Sequence, residues 1–329
     1  MKLSLILAAI LFAGCSRTPA VAGKPTQRKV KFNLAWTPQG STGGILVAIG
    51  KGFYKEVGLD VEPVQGFGGQ RTVNEVDQGL AEFGYGDPVS VILNRAQGGK
   101  TKLIGAINAE WPAGLCYIDK GDRKWKTPTD LKGLTLGGGS ASPLHNIVPA
   151  WLEANNLQAG GIKLLRLDPS VINPSLLSGK IDLAECWEGA NRPVLESVVQ
   201  RDGKRISWIR YRDFKLDLYG NGIVTTEKMI QEQPETVRNF VQATYKGYAF
   251  MRENPRDAAD LILSVYQLLD RAVLLKQIEE TNQIVGGAGG KAGFMLEARM
   301  QSTMEFVRKA FRLTGLSKSA EIYTNAFVE

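Results

Sequence analysis

From Lys29 onward, short β-like runs alternate with helical stretches, and the rhythm stops and restarts once. Val30–Ala35, Asp60–Val64, Glu82–Tyr85 and Lys102–Ile107 read as strands, with helices predicted at Gly43–Tyr54, Gly69–Gly79 and Val89–Ala96. Strands that alternate with helices imply parallel βαβ units, so an α/β fold is predicted. A second series then begins. It has strands at Leu115–Ile118, Leu134–Gly137, Lys163–Leu167, Asp182–Trp187 and Ile206–Tyr211, with one helix at Leu144–Glu153 and another closing at Pro174–Gly179. A last strand, Ile223–Thr226, leads into helical spacing over Glu235–Arg252, Asp257–Leu269, Val273–Gln283 and Leu296–Leu313. A chain of 329 residues is also long for one core, so two lobes are expected.

The N-terminus carries an address. Lys2 precedes an apolar run, Leu3 to Phe12, too short to span a bilayer but of the length of a secretory h-region. Leu11-Phe12-Ala13-Gly14-Cys15 resembles a bacterial lipobox, with Phe12 where Leu is usual. The expectation is a signal peptide over 1–14, lipidation at Cys15, a Pro/Ala/Thr/Lys-rich tether over 15–28, and an extracytoplasmic, membrane-anchored location. No later segment approaches 18 consecutive apolar residues. In an oxidising compartment Cys116 and Cys186 can pair or stay as buried thiols.

Counting narrows the chemistry. One histidine, His145, and three cysteines leave little for a His- or Cys-rich metal site, and no metal or cofactor is expected. Lys and Arg number 40 against 33 acids, but the excess is scattered, unlike the basic block of a nucleic-acid binder. No Gly-x-Ser-x-Gly elbow or histidine pair is present for catalysis. A binding protein is expected, with an enzyme as the rival class.

Trp36-Thr37-Pro38, followed by Gly52-Phe53-Tyr54-Lys55-Glu56-Val57-Gly58-Leu59-Asp60-Val61, is similar to the opening of ABC-transporter substrate-binding proteins. The similarity is to the nitrate/sulfonate/taurine and thiamine-pyrimidine-precursor branch. Gly79 through Asp87, Tyr219-Gly220-Asn221-Gly222-Ile223-Val224, and Pro234-Glu235-Thr236-Val237 continuing to Asn254-Pro255 extend the likeness over nearly the whole chain. The resemblance implies a two-lobe periplasmic-binding-protein type II fold with two crossover strands. Lobe 1 would comprise 29–110 plus 220–329, and lobe 2, inserted, 111–219. It also implies a monomer that closes on a small ligand and docks an ABC-transporter permease. The fungal pyrimidine synthases share the fold, but their cysteine-rich stretch has no match here.

Ligands of open α/β sheets bind beyond the C-terminal strand ends. That rule selects Trp36, Ser41 and Thr42 after the first strand, and Gly68, Gly69 and Gln70 after the second. It selects Tyr85 and Asp87 after the third, although Asp87 equally suits an N-cap. Trp111 lies at the first crossing, Gly139, Ser140 and Ser142 open a helix, and Trp187 with Glu188 ends a lobe-2 strand. Tyr219 and Asn221 lie at the second crossing. Aromatic walls with two acids, Asp87 and Glu188, suit a flat amino-bearing heterocycle, such as a thiamine-pyrimidine precursor, or a cation held by π faces. An alkanesulfonate, taurine or nitrate would call for a cation, and Arg71 is the only basic residue in these loops.

Overall fold

The computed structural model describes residues 27–119, 121, 124–139, 142–287, 290–315 and 318–328. The signal peptide, Cys15, the tether as far as 26, and Ser140 lie outside the described residues.

Two five-stranded sheets organise the chain. The first holds β1 (Arg28–Asn33), β2 (Leu59–Val64), β3 (Phe83–Gly86), β4 (Thr101–Ala106) and β10 (Gly222–Thr226), in the order β2-β1-β3-β10-β4. The second holds β5 (Ala113–Asp119), β6 (Thr135–Gly139), β7 (Lys163–Leu167), β8 (Leu183–Trp187) and β9 (Arg205–Arg210), in the order β7-β6-β8-β5-β9. One strand in each sheet is antiparallel to both of its neighbours: β10 between β3 and β4, and β5 between β8 and β9. These are the strands that follow the crossings, as the family resemblance implies. The fold is α/β, two-lobed, with mixed sheets.

Helices α1 (Gly43–Gly50), α2 (Phe53–Glu56), α3 (Gly69–Asp77) and α4 (Pro88–Ala96) belong to the first sheet, and α5 (Leu144–Ala154), α6 (Pro169–Leu177) and α7 (Asn191–Arg201) to the second. The helix expected over Gly43–Tyr54 is two helices. Gly52 takes φ 77° between them, a left-handed conformation that glycine adopts without strain. The expected tether also ends earlier, because Arg28 already pairs with Leu59 in the sheet.

Beyond β10 come α8 (Glu227–Glu232), α9 (Pro234–Glu253), α10 (Pro255–Val265), α11 (Arg271–Ile284), α12 (Glu297–Phe311) and α13 (Ser319–Ile322). Phe240 of α9 anchors the first core. Its ring stacks on Phe83 at 3.9 Å and on Tyr54 at 5.0 Å between centroids, beneath buried Phe32. α12 instead packs on both α4 and α5, so it touches the helices of both sheets.

The crossings run side by side. The Asn221 carbonyl accepts from the N–H groups of Ile107 (2.9 Å) and Asn108 (2.8 Å), and Gly220 N–H donates to the Asn108 carbonyl at 3.1 Å. From α12, Arg299 donates to the Ala109 carbonyl on the first crossing (2.5 Å) and the Leu218 carbonyl on the second (3.2 Å). Among the described residues no helix is long and apolar enough to cross a membrane.

Cys116 of β5 and Cys186 of β8 are disulfide-bonded, with Cα atoms 5.8 Å apart and a sequence separation of 70. The bond closes a long loop and ties the crossing strand to its neighbour. Reducing it should lower the unfolding free energy by about 2–4 kcal/mol. Urea unfolding with and without dithiothreitol measures this, and coincident midpoints would show that sheet pairing alone sets the stability.

Candidate functional site

The C-terminal strand ends of the two sheets meet at the crossings. On the first sheet, the 3-10 turn Gly40–Thr42 precedes α1. Ser41 and Thr42 are buried there, and Ser41 N–H donates to the Gly189 carbonyl of the other lobe at 2.8 Å. Trp36 stands at the rim, 40% exposed. Buried Tyr85 accepts from Asn108 Nδ2 at 3.0 Å, and burial raises its phenol far above the ordinary range. Asn108 Nδ2 also reaches Asn221 Oδ1 at 3.4 Å, while Asn108 Oδ1 is buried without a protein partner.

Asp87 is the N-cap of α4. Its carboxylate accepts from Ser90 N–H (2.9 Å) and Ser90 Oγ (2.8 Å), and burial raises its pKa. Gly69 lies against it, so that a Cβ there would come 2.6 Å from Asp87 Oδ2. Gly68 takes φ 109° and donates its N–H to the Ala35 carbonyl at 2.7 Å. Gln70 Nε2 donates to Asn74 at 3.2 Å, leaving buried Gln70 Oε1 unpartnered.

On the second sheet, Trp111 and Trp187 bring their rings to 5.4 Å at 55°. Trp111 Nε1 is buried without an acceptor. Glu185, two residues before Trp187 on β8, shares its face. It accepts from Ser142 Oγ at 2.7 Å, from the Trp187 side chain and from the Gly139 backbone. Burial nevertheless holds its carboxyl up at about 7. Buried Tyr211 lies close enough for the Glu185 charge to raise its phenol further, and the Tyr211 hydroxyl has no partner.

Glu188 sits differently. Both of its oxygens are bound by Arg212, one at 2.9 Å, and the same guanidinium reaches Glu110 at 2.8 Å and the Trp111 carbonyl at 3.3 Å. The pair ties the turn after β8 to the first crossing. Tyr219 is likewise committed, its hydroxyl accepting from Leu296 N–H at 2.7 Å and its ring lying 4.4 Å from the Arg299 guanidinium. His145 on α5 is partly buried, and burial with nearby Arg166 lowers its pKa. Among the described residues no cluster of three His, Cys, Asp or Glu side chains could hold a metal ion.

The loop after β1 meets the turn after β8, whereas Gly68, Gln70 and Asp87 bond, and Gly69 packs, within the first lobe. The acid that Trp187 bonds is Glu185, which the sequence rule passed over in favour of Glu188. A signal existed: an acid in an otherwise apolar strand, in register with Trp187. Because burial raises the Glu185 pKa from 4.5 to about 7, its neutral form favours folding at low pH, and that contribution is lost as pH rises from about 4.5 to 7. Wild type should lose about 2 kcal/mol relative to Glu185→Gln between pH 5 and pH 8. Denaturant titrations at the two pH values measure it, and parallel behaviour of the two proteins would contradict the burial argument.

The chain has measurable relatives. A riboflavin-binding protein, RibY, of Chloroflexus aurantiacus is 26% identical over 98% of this chain and 96% of its own length. A formylaminopyrimidine-binding protein of Halalkalibacterium halodurans is 24% identical over 87% of this chain and 88% of its own. Among solved structures, the periplasmic aliphatic sulphonate binding protein SsuA of Escherichia coli superposes with a TM-score of 0.71 over 92% of this chain and 99% of its own. At 14% identity that likeness shows the fold. The NMT1/THI5-like family model matches residues 39–258, which take in the second sheet whole and all of the first but β1, and the chain belongs to the NMT1/THI5-like family.

Proposed function

We propose that the protein is the extracytoplasmic solute-binding component of an ABC importer, and that it captures a flat nitrogen heterocycle between its lobes by hinge closure. A thiamine-pyrimidine precursor is the leading ligand. The observation that carries this reading is Glu185. A buried carboxyl two residues before the end of β8, bonded by the Trp187 side chain, suits a ring that stacks on Trp187 and donates an N–H. Trp111 Nε1 and Asn108 Oδ1 at the first crossing, and the Tyr211 hydroxyl near Glu185, add unpartnered donors and acceptors around the same site. Native proteins leave few such groups unsatisfied, so they are apt to meet a polar ligand. Both named relatives are called binders of nitrogen heterocycles, which supports the ligand class.

Asp87 and Glu188 take supporting roles in this reading, as a helix cap and as the partner of Arg212. The sulfonate or nitrate alternative needs a cation in these loops. Arg71 is bound to Glu75 at 2.7 Å and lies 4.7 Å from the Phe67 ring, which disfavours an anion. Tethering through Cys15 and docking on a membrane permease complete the proposal. The protein acts as a monomer without a cofactor and without nucleic acid.

Fluorescence titration with 4-amino-5-hydroxymethyl-2-methylpyrimidine, its formylamino analogue, riboflavin and an alkanesulfonate tests the ligand class. Saturable quenching is expected with one or more heterocycles. Trp187→Ala should weaken that binding by more than about 1 kcal/mol, and Glu185→Gln by a comparable or larger amount. Saturation by the sulfonate alone would overturn the heterocycle reading.

A further inference from the structure

The two lobes also touch along a seam that begins at the turn directly after Trp187. α7 leaves the turn after β8 and runs outward on the second sheet's lobe. α11 packs on the first sheet's core through Leu274 and Ile278 and returns to the first crossing, where Ala109 N–H donates to the Ile284 carbonyl at 2.8 Å. The contacts pair the helices in antiparallel order. Arg192 binds Glu280, with one of its bonds at 2.7 Å, Lys276 reaches Glu196 at 3.2 Å, and Arg201 approaches Asp270 at 4.0 Å. Arg192 also bonds Glu196 at 3.1 Å on its own helix.

The inner end of the seam is directional. Gly189 N–H donates to Glu280 Oε2 at 2.9 Å, and Gln277 Nε2 donates to the Ala190 carbonyl at 2.7 Å. Gln277 Oε1 at the same time accepts from Gly40 N–H at 3.0 Å, so one side chain bridges the loops of both lobes. Gly189 takes φ 66°, and a Cβ there would overlap Thr281 Oγ1. The turn is shaped to lie on α11.

We propose that this seam is a closure latch: Gln277 and Glu280 hold the 188–190 turn and Arg192, and so set how much of the free protein is closed. The latch rests on the hinge-closure part of the functional reading and not on the identity of the ligand. Gln277, Glu280 and Arg192 lie outside the candidate site and touch it only through the 188–190 turn that follows Trp187, so they act on affinity through population. Apparent affinity scales with the closed fraction when only the closed form binds tightly. Part of the latch is ionic, so salt should loosen it.

Spin–spin distance measurement on the ligand-free protein tests the latch directly. Labels would be placed at Lys55→Cys and Lys163→Cys, exposed positions on opposite lobes, in the full chain carrying Cys15→Ser. A dominant short-distance population is expected, and Glu280→Gln should enlarge the long-distance population several-fold. Salt at 1 M should shift parent and variant alike but less than the substitution does, because it screens the more exposed Lys276–Glu196 and Arg201–Asp270 pairs more than the largely buried Arg192–Glu280 pair. Equal distributions in parent and variant, or a parent already wholly at the long distance, would overturn the proposal. Thermal unfolding checks that Glu280→Gln folds. Should it not, Glu196→Gln, nearer the surface, must shift the population in the same direction, and no shift there would count equally against the latch. Because no ligand is added, failure here is separate from failure of the heterocycle reading.

Discussion

The hydrogen bonds between the two crossings govern everything else in this molecule. Asn221 offers one carbonyl to two consecutive N–H groups, those of Ile107 and Asn108, which aligns the strands that leave and re-enter the first sheet. Arg299 then clasps the outer stretch of both crossings from α12. With the crossings joined, each sheet receives its antiparallel strand beside β3 or β8, and the C-terminal strand ends of the two sheets are brought to face one another.

Near these strand ends, three carboxyl groups with similar sequence credentials have different environments. Asp87 accepts two bonds from Ser90 and caps a helix, and Glu188 lies in the grip of Arg212. Glu185 has neutral donors around it and no cation among its bonds, so burial dominates and its pKa is raised to about 7. An acid that is partly neutral near pH 7 can accept or donate a hydrogen bond. That is a useful property opposite a heterocycle whose edge presents both N–H groups and ring nitrogens.

Much of the architecture was legible in the sequence because period and order carry it. The restart of the strand–helix rhythm at Leu115 and the return at Ile223 correspond to β5 and β10. The interruption at Gly50–Gly52 was harder to read, since apolar spacing continues across it. Glu185 and Glu188 could not be separated by pattern alone, because the distinction depends on Arg212, 24 residues on from Glu188. The α7–α11 seam joins residues nearly 90 positions apart, and no local period reports such a contact. Pairing of Cys116 with Cys186 was likewise open until the adjacency of β5 and β8 was known.

A crystal structure of the protein with an aminopyrimidine bound is the most direct test of the account. The ring is predicted to stack on Trp187 with an N–H within hydrogen-bonding distance of Glu185, while Asp87 and Glu188 keep their bonds to Ser90 and Arg212. A ring seated against Asp87 or Glu188, with Glu185 untouched, would contradict it.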